Sequence, residues 1–310
     1  MVNSTYLYNN FNIKNKHKRS IILIGNFDGL HLGHQKLFSL AKRFKKRYSL
    51  KIGVLTFEPM PKMYFNQNLK NFRISNQKQK FDNLKILDVD FVIIRKFDKG
   101  FSKTKSIDFI KKTLAKKLNP KFVFVSNNFR FGNKREGNVK QLIQYEKKYD
   151  YKIVKPGPLK RKKKITSSSL IRNCLQKGKL SEANKLLGRD WSIQGKVQKG
   201  KQLGKKIGYP TANIDIKDYV LACPGVYVVK AKIQNSVKYI KGIANLGYRP
   251  TFNGKKILLE VHLFNFSRNL YDKNLTVKFL KFIRKEKKFK DLDQLKKQIM
   301  IDLSKAKKTK

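Results

Sequence analysis

The stretch Ile21-Ile22-Leu23-Ile24-Gly25-Asn26-Phe27-Asp28-Gly29-Leu30-His31-Leu32-Gly33-His34 decides how this chain is read. Four apolar residues in succession, stopped by a glycine, describe a short buried strand. Leu37, Leu40, Ala41 and Phe44 then recur at helical spacing. Between strand and helix lies a turn whose glycines allow a tight bend and close approach of the backbone to a ligand. His31 and His34 are three residues apart, so they share a face if the helix starts there. A helix N-terminus with open N–H groups and two imidazoles is a phosphate site. Imidazoles can donate hydrogen bonds to an α-phosphate as charge builds in a transition state. The chain has only four histidines, and no third ligand at zinc spacing stands near these two.

The same alternation continues outward. Ile52 to Phe57, Phe91 to Ile94 and Phe122 to Val125 read as further buried strands, and Ile107, Ile110, Leu114 and Leu118 as a helical stripe. Continuous apolar strands separated by amphipathic helices predict a Rossmann-like parallel sheet covered on both faces. Ligands in such sheets sit at the carboxyl ends of the strands, so the segments after Ile24, Phe57 and Val125 are the candidate site. Beyond residue 190 the rhythm changes. Val226 to Ala231, Val237 to Ala244, Ile257 to Phe266 and Leu275 to Phe282 are strand-like runs separated by turn residues, which predicts an antiparallel sheet or small β-barrel. Leu292, Leu295, Ile299 and Leu303 predict one apolar face of a terminal helix, capped by Asp291. With 310 residues the chain is long enough for two domains. We place the boundary at Leu187-Gly188, giving domains 1–186 and 187–310 of an α/β protein.

Composition excludes several classes. Forty per cent apolar residues before glycine is counted can build a core, and eight prolines exclude a Pro-rich linker protein. The formal charge of +53 comes from 73 basic against 20 acidic residues, yet only 13 of the basic residues are arginine. Dedicated nucleic-acid readers favour arginine for its bidentate fork. Lysine spread along the whole chain reads as a composition bias that favours anionic ligands such as nucleotides, and no specific nucleic-acid partner is expected. Two cysteines, Cys174 and Cys223, cannot make a disulfide framework and suit a reducing compartment. The polar N-terminus and short apolar runs give no leader and no membrane span, so a cytoplasmic protein is expected.

In the second half, residues 195–202 nearly spell a P-loop, but Gln202 stands where Ser or Thr should ligate Mg²⁺, and Pro210 with several glycines opposes the helix that should follow. Gly200, Gly204 and Gly208 can instead form a flap whose amides cradle phosphates. Thr211 and Asn213 carry oxygen ligands suited to Mg²⁺, or simply make a turn. Along the strand from Ile257, Leu258, Glu260, His262 and Phe264 share one face. Glu260 is either a general base or an ordinary carboxylate on an exposed face.

The string Gly25-Asn26-Phe27-Asp28-Gly29-x-His31-x-Gly33-His34 resembles the signature of the bacterial bifunctional riboflavin kinase/FAD synthetase family. Thr56-Phe57-Glu58-Pro59-Met60-Pro61 is similar to its TFEPHP loop, with Met60 where His is usual. Asn127-Asn128-Phe129-Arg130-Phe131-Gly132 is similar to its flavin-side loop, with Ser126 replacing Gly. Ser167-Ser168-Ser169-Leu170-Ile171-Arg172 resembles its serine-rich phosphate loop, and equally reads as a helix N-cap. Pro210-Thr211-Ala212-Asn213, residues 242–252 and Leu259-Glu260-Val261-His262 resemble the kinase module. The resemblance implies ATP-dependent conversion of riboflavin to FMN and of FMN to FAD. It implies His31 and His34 as catalytic groups of adenylyl transfer. Gly25, Phe27, Asp28, Gly29, Gly33, Ser167, Ser168, Ser169 and Arg172 would then hold ATP, as Gly200, Gly204 and Gly208 would in the kinase half. Pro59, Asn128, Phe129, Arg130 and Arg249 would contact flavin, Thr211 and Asn213 would bind Mg²⁺, and Glu260 would take the proton from the ribityl hydroxyl.

Overall fold

A computed structural model describes residues 5–161, 164–200, 204, 207–251 and 254–309. The chain forms two compact units, one of residues 1–69 and 80–166, the other of residues 70–79 and 167–310.

The first unit is built on a six-stranded parallel sheet. Its strands are β1 (Tyr6–Tyr8), β2 (Ile21–Ile24), β3 (Ile52–Glu58), β4 (Phe91–Lys96), β5 (Phe122–Phe124) and, later in the chain, β8 (Lys152–Val154). Their order is β1-β4-β3-β2-β5-β8. Alternate residues of each strand point to opposite faces, and here both faces are covered. Ile22, Ile24, Leu55, Ile93 and Val123 belong to one apolar cluster, Ile21, Leu23, Val54, Val92 and Phe122 to the other. This double burial is why the strands are apolar throughout. The helix Leu32–Tyr48 follows β2, and the predicted stripe from Ile107 falls in Ser106–Asp108 and the π-helical Phe109–Leu118, where Ile110, Leu114 and Leu118 are fully buried. Two short hairpins complete the unit: β6 (Arg130–Phe131) with β7 (Gly137–Asn138), and β9 (Lys160–Arg161) with β10 (Lys164–Ile165). The middle of the basic run, residues 162 and 163, lies outside the described residues.

The second unit is a closed antiparallel barrel. Its strands are β11 (Ser192–Gln198), β12 (Ala212–Asp215), β13 (Gly225–Ile233), β14 (Ile240–Thr251), β15 (Gly254–Leu263) and β16 (Asn274–Lys285), in the order β11-β12-β15-β14-β13-β16. Closure leaves no exposed sheet edge. Ile214, Val229, Leu246, Leu259, Val277 and Phe279 point into its apolar interior. The helices Ser168–Gln176 and Leu180–Leu187 join the same apolar cluster through Ile171, Leu175, Leu180 and Ala183. Trp191, 2% exposed, donates its indole N–H to the carbonyl of Ile74 at 2.9 Å.

Two expectations need correction. Val237, read as the start of a strand, is 93% exposed, and β14 begins at Ile240. The terminal helix Leu292–Lys308 is capped by Asp291 as expected, but Leu292 is 63% exposed while Asp302 and Ala306 are buried. The helix turns Asp302 inward because Arg284 of β16 meets it there, at 2.7 to 3.1 Å through Nε and Nη2.

Candidate functional site

In the first unit β3, β2 and β5 are adjacent and parallel, so the loops that follow them leave from the same sheet edge. The chain winds from β2 toward β3 in one direction and from β5 toward β8 in the other, which puts the crevice of a doubly wound sheet between β2 and β5. The histidine loop lies on one side of it and the loop carrying Asn128 on the other.

Residues 25–34 make a strained turn. Phe27 and Leu30 have φ of +48° and +40°, and Gly29 has +77°. Left-handed backbone costs a non-glycine residue energy, and here burial holds it: Phe27 and Leu30 are each 2% exposed. The Phe27 ring packs edge-on against His34 and Phe38 and lies under Gly25, where a Cβ would come within 3.2 Å of it. Asp28 is buried in the same turn.

His31 caps the helix. Its Nδ1 accepts from the backbone N–H of His34 at 3.3 Å, and the two rings stack at 3.7 Å between centroids. A nitrogen that accepts cannot carry the proton, so neutral His31 holds its proton on Nε2 and can donate from there. Gly33 completes the arrangement. A Cβ there would stand 3.1 Å from the His31 ring and 3.2 Å from the carbonyl of Thr166.

The structure adds Lys80 to this edge. Its side chain is 4% exposed, and Nζ donates to Thr56 Oγ1 at 3.2 Å; that hydroxyl donates to the carbonyl of Asn26 in the histidine loop at 3.4 Å. One lysine among sixty gave no signal in the sequence. After β3, Pro59 is half-buried, and Met60 is 2% exposed at the cap of the helix Pro61–Phe65. After β5, Asn128 and Arg130 are exposed and Phe129 stacks on Phe131 at 5.6 Å.

The serine-rich segment belongs to the second unit. Ser167 is an N-cap, accepting from Leu170 N–H at 3.3 Å, and Ser168 and Ser169 open the helix. Arg172 donates from Nε to the Phe72 carbonyl at 2.8 Å, with its guanidinium 3.7 Å from the Phe72 ring centroid.

On the barrel, register creates the second site. Asn213 of β12 is directly opposite Glu260 of β15, which is directly opposite Asn245 of β14. Their neighbours Ala212, Ile214, Leu259, Val261, Ala244 and Leu246 all enter the core. By alternation the three polar residues share the outer face. Thr211 precedes β12 on the same side. Gly200 lies against Asn213, where a Cβ would collide with the carboxamide, and Gly204 lies 3.5 Å from Thr211 by the same measure. Gly208 has φ of +87°. Residues 201–203, 205 and 206 lie outside the described residues, so the expectation that no helix forms here falls outside them. His262 donates from Nδ1 to the Pro210 carbonyl at 2.9 Å and so ties the segment holding Thr211 to β15, the strand of Glu260. Arg249 lies in β14, and its side chain is outside the described residues.

Among the described residues no group of three or more His, Cys, Asp or Glu could hold a metal ion, and no helix is long and apolar enough to cross a membrane. The hard oxygen donors Thr211 and Asn213, side by side beside a carboxylate, suit Mg²⁺ carried by a nucleotide.

Comparison with known proteins agrees with this geometry. Residues 13–170 match the model of the FAD synthetase family and residues 187–310 that of the riboflavin kinase family. The bifunctional riboflavin kinase/FMN adenylyltransferase of Buchnera aphidicola from Schizaphis graminum is 40% identical over 96% of both chains. The proteins of the same name from Haemophilus influenzae and Escherichia coli K12 are 38% and 35% identical, covering 92% and 91% of this chain and 92% and 90% of their own. A crystal structure from Streptococcus pneumoniae, titled as a macrolide-efflux protein, superposes with a TM-score of 0.87 and 29% identity over 99% of each chain.

Proposed function

This chain belongs to the bifunctional riboflavin kinase/FMN adenylyltransferase family, and we propose that its two activities divide between residues 1–186 and 187–310, with the residues described above as their sites. The enzyme phosphorylates riboflavin to FMN with ATP and transfers AMP from a second ATP to FMN, giving FAD and pyrophosphate.

The kinase reading is carried by one observation, the row Asn213–Glu260 on the outer face of the barrel. Thr211 Oγ1 and Asn213 Oδ1 would hold Mg²⁺, which when bound neutralises charge on the ATP phosphates. Gly200 and Gly204 leave the backbone bare beside these two residues, so phosphate oxygens can reach main-chain N–H groups. Glu260 takes the proton of the ribityl terminal hydroxyl. The oxygen bonds to the γ-phosphorus, the bond from that phosphorus to the bridging oxygen breaks, and ADP leaves.

Adenylyl transfer needs no base. An oxygen of the FMN phosphate bonds to the α-phosphorus of ATP, and the bond to pyrophosphate breaks. Nε2–H of His31, with His34 and the N–H groups of the helix start, stabilises the charge on the α-phosphate. Gly25, Phe27, Asp28, Gly29 and Gly33 shape the loop around the nucleotide. Ser167, Ser168, Ser169 and Arg172 are proposed as its phosphate ligands, and Pro59, Asn128, Phe129 and Arg130 as the flavin side. Arg249 is the flavin contact proposed for the kinase half. We place the enzyme in the cytoplasm, where the buried thiols of Cys174 and Cys223 stay reduced.

The test is direct. Full-length protein is incubated with riboflavin, Mg²⁺ and ATP, and the flavins are separated by chromatography. FMN should appear first and FAD after it, and omission of Mg²⁺ should stop both. Turnover without any divalent cation would remove Thr211 and Asn213 from their role.

A further inference from the structure

The polar row on the barrel has two ends, and only one of them is used by Mg²⁺-ATP. Asn213 and Asn245 flank Glu260 in register on opposite sides. Thr211, Gly200 and Gly204 gather at the Asn213 end. The attacking and leaving oxygens of a phosphoryl transfer lie roughly in line. The alcohol deprotonated by Glu260 therefore comes from the other end, over β14.

That end is built. Asn245 Nδ2 donates to Glu286 Oε1 at 3.3 Å. Glu286 follows β16, and its own N–H donates to the Pro224 carbonyl at 3.3 Å. Its carboxylate rests on the bare backbone of Gly247, the next outward position of β14 after Asn245, where any Cβ would collide with it. With Nδ2 committed to Glu286, Asn245 turns its amide oxygen the other way. Asn245 Oδ1 is buried and receives no hydrogen bond. A buried acceptor without a donor is costly, and it is matched by a ligand that brings O–H groups. A wall of an amide oxygen and a carboxylate accepts from a polyol and repels phosphate.

We propose that Asn245, oriented by Glu286, is the seat of the ribityl hydroxyls of riboflavin and sets the acceptor end of the kinase site. Asn245 touches the substrate; Glu286 is a positioning residue that acts through it. The inference rests on reading Glu260 as the base.

The experiment uses full-length Asn245→Ala, the isosteric Glu286→Gln and the double variant, with riboflavin and ATP varied separately. Adenylylation of added FMN in each preparation reports whether the other unit is intact. Loss of one hydrogen bond should raise the riboflavin KM of Asn245→Ala about three- to tenfold, with the ATP KM unchanged. Glu286→Gln should move the riboflavin KM in the same direction, and the double variant should be no worse than Asn245→Ala, because the two act as one unit. A wild-type riboflavin KM in both single variants, or a rise in the ATP KM alone, would overturn the proposal. If Asn245→Ala does not fold, Glu286→Gln decides by the same criterion. Glu260→Gln separates the two readings. If it keeps turnover, the assignment of the base fails. If it loses turnover while Asn245→Ala and Glu286→Gln keep their riboflavin KM, only the seat fails.

Discussion

Glu260 of β15 stands directly across the ladder from Asn213 of β12, and both face away from the barrel core. Neither residue can leave this face alone. A slip of one residue in either strand would turn Ile214 or Leu259 out to solvent and the carboxylate or amide inward. Burial of the apolar neighbours thus holds the proposed base and the proposed metal ligand side by side, so the barrel's packing sets the geometry of that pair.

Glu260→Gln should stop riboflavin phosphorylation and spare adenylylation of added FMN. The amide keeps the shape but cannot accept the proton, and loss of a general base typically costs about 10²–10⁴ in rate. Steady-state rates with riboflavin and, separately, with FMN check this. Wild-type kinase turnover would leave Glu260 an ordinary carboxylate on a strand.

His31→Ala should block FAD formation and leave FMN formation nearly intact. It removes both the cap of the helix Leu32–Tyr48 and the proposed donor to the α-phosphate, and one such donor is typically worth about 10²–10³ in rate. Gly33→Ala tests geometry with the imidazoles retained. The added methyl meets the His31 ring on one side and the Thr166 carbonyl on the other, so adenylyl transfer should fall although both histidines are present. Undiminished FAD synthesis by either variant would make the loop structural.

The strands of both units were legible where burial imposes a pattern. β2, β3, β4 and β5 are apolar throughout because both faces are covered, and β15 alternates because only one is. β1 and β8 carry no such pattern, because they are three-residue strands at the sheet edges with exposed or half-exposed side chains. Periodicity points Leu292 of the terminal helix inward and gives no sign of Asp302, whose core position depends on Arg284, a cation eighteen residues away. The shared face of Glu260 and His262 could be read from alternation. That Asn245 and Asn213 flank Glu260 could not, because pairing between distant strands is set by the closed barrel.

Residues 187–310 alone should make FMN and no FAD. Ile171, Leu175, Leu180 and Ala183 nevertheless share the apolar cluster of the barrel, and full burial of each large side chain is worth about 1.5–3 kcal/mol. A fragment beginning at Ser167 should therefore unfold at a higher denaturant concentration than one beginning at Leu187, with similar kinase turnover. A folded fragment from Leu187 without kinase activity would count against the division of function proposed above.

The first unit should lose stability as the pH falls below about 6.5, the ordinary pKa of histidine. His17 is 1% exposed, stacked on Phe91 at 4.5 Å and hydrogen-bonded to the Tyr8 hydroxyl at 2.7 Å. Burial, with Lys16 nearby, lowers its pKa. The folded state then binds fewer protons than the unfolded chain just below pH 6.5. Stability present above that pH is lost as the pH falls through the lowered value. Thermal inactivation of FMN adenylylation between about pH 7 and pH 5.5 should show the slope, and His17→Gln should flatten it. An equal slope in the variant would assign the effect to other groups.

Asp302→Ala should destabilise the second unit far more than any change on the outer side of the same helix. The carboxylate is 3% exposed and accepts from Nε and Nη2 of Arg284 and from Nε2 of Gln298 at 3.0 Å. Its removal leaves the Arg284 guanidinium, only 17% exposed, without its counter-charge. Breaking a buried pair from one side typically costs about 3–5 kcal/mol. Leu292→Ser, at the exposed start of the helix, should change stability by no more than about 0.5 kcal/mol. Because Arg284 is two residues from Glu286, Asp302→Ala should also weaken riboflavin phosphorylation while FMN adenylylation holds. Denaturant titration of both variants, read by loss of kinase activity, compares them on one scale. Equal midpoints would mean that the helix is held by its apolar contacts and that the ion pair contributes nothing.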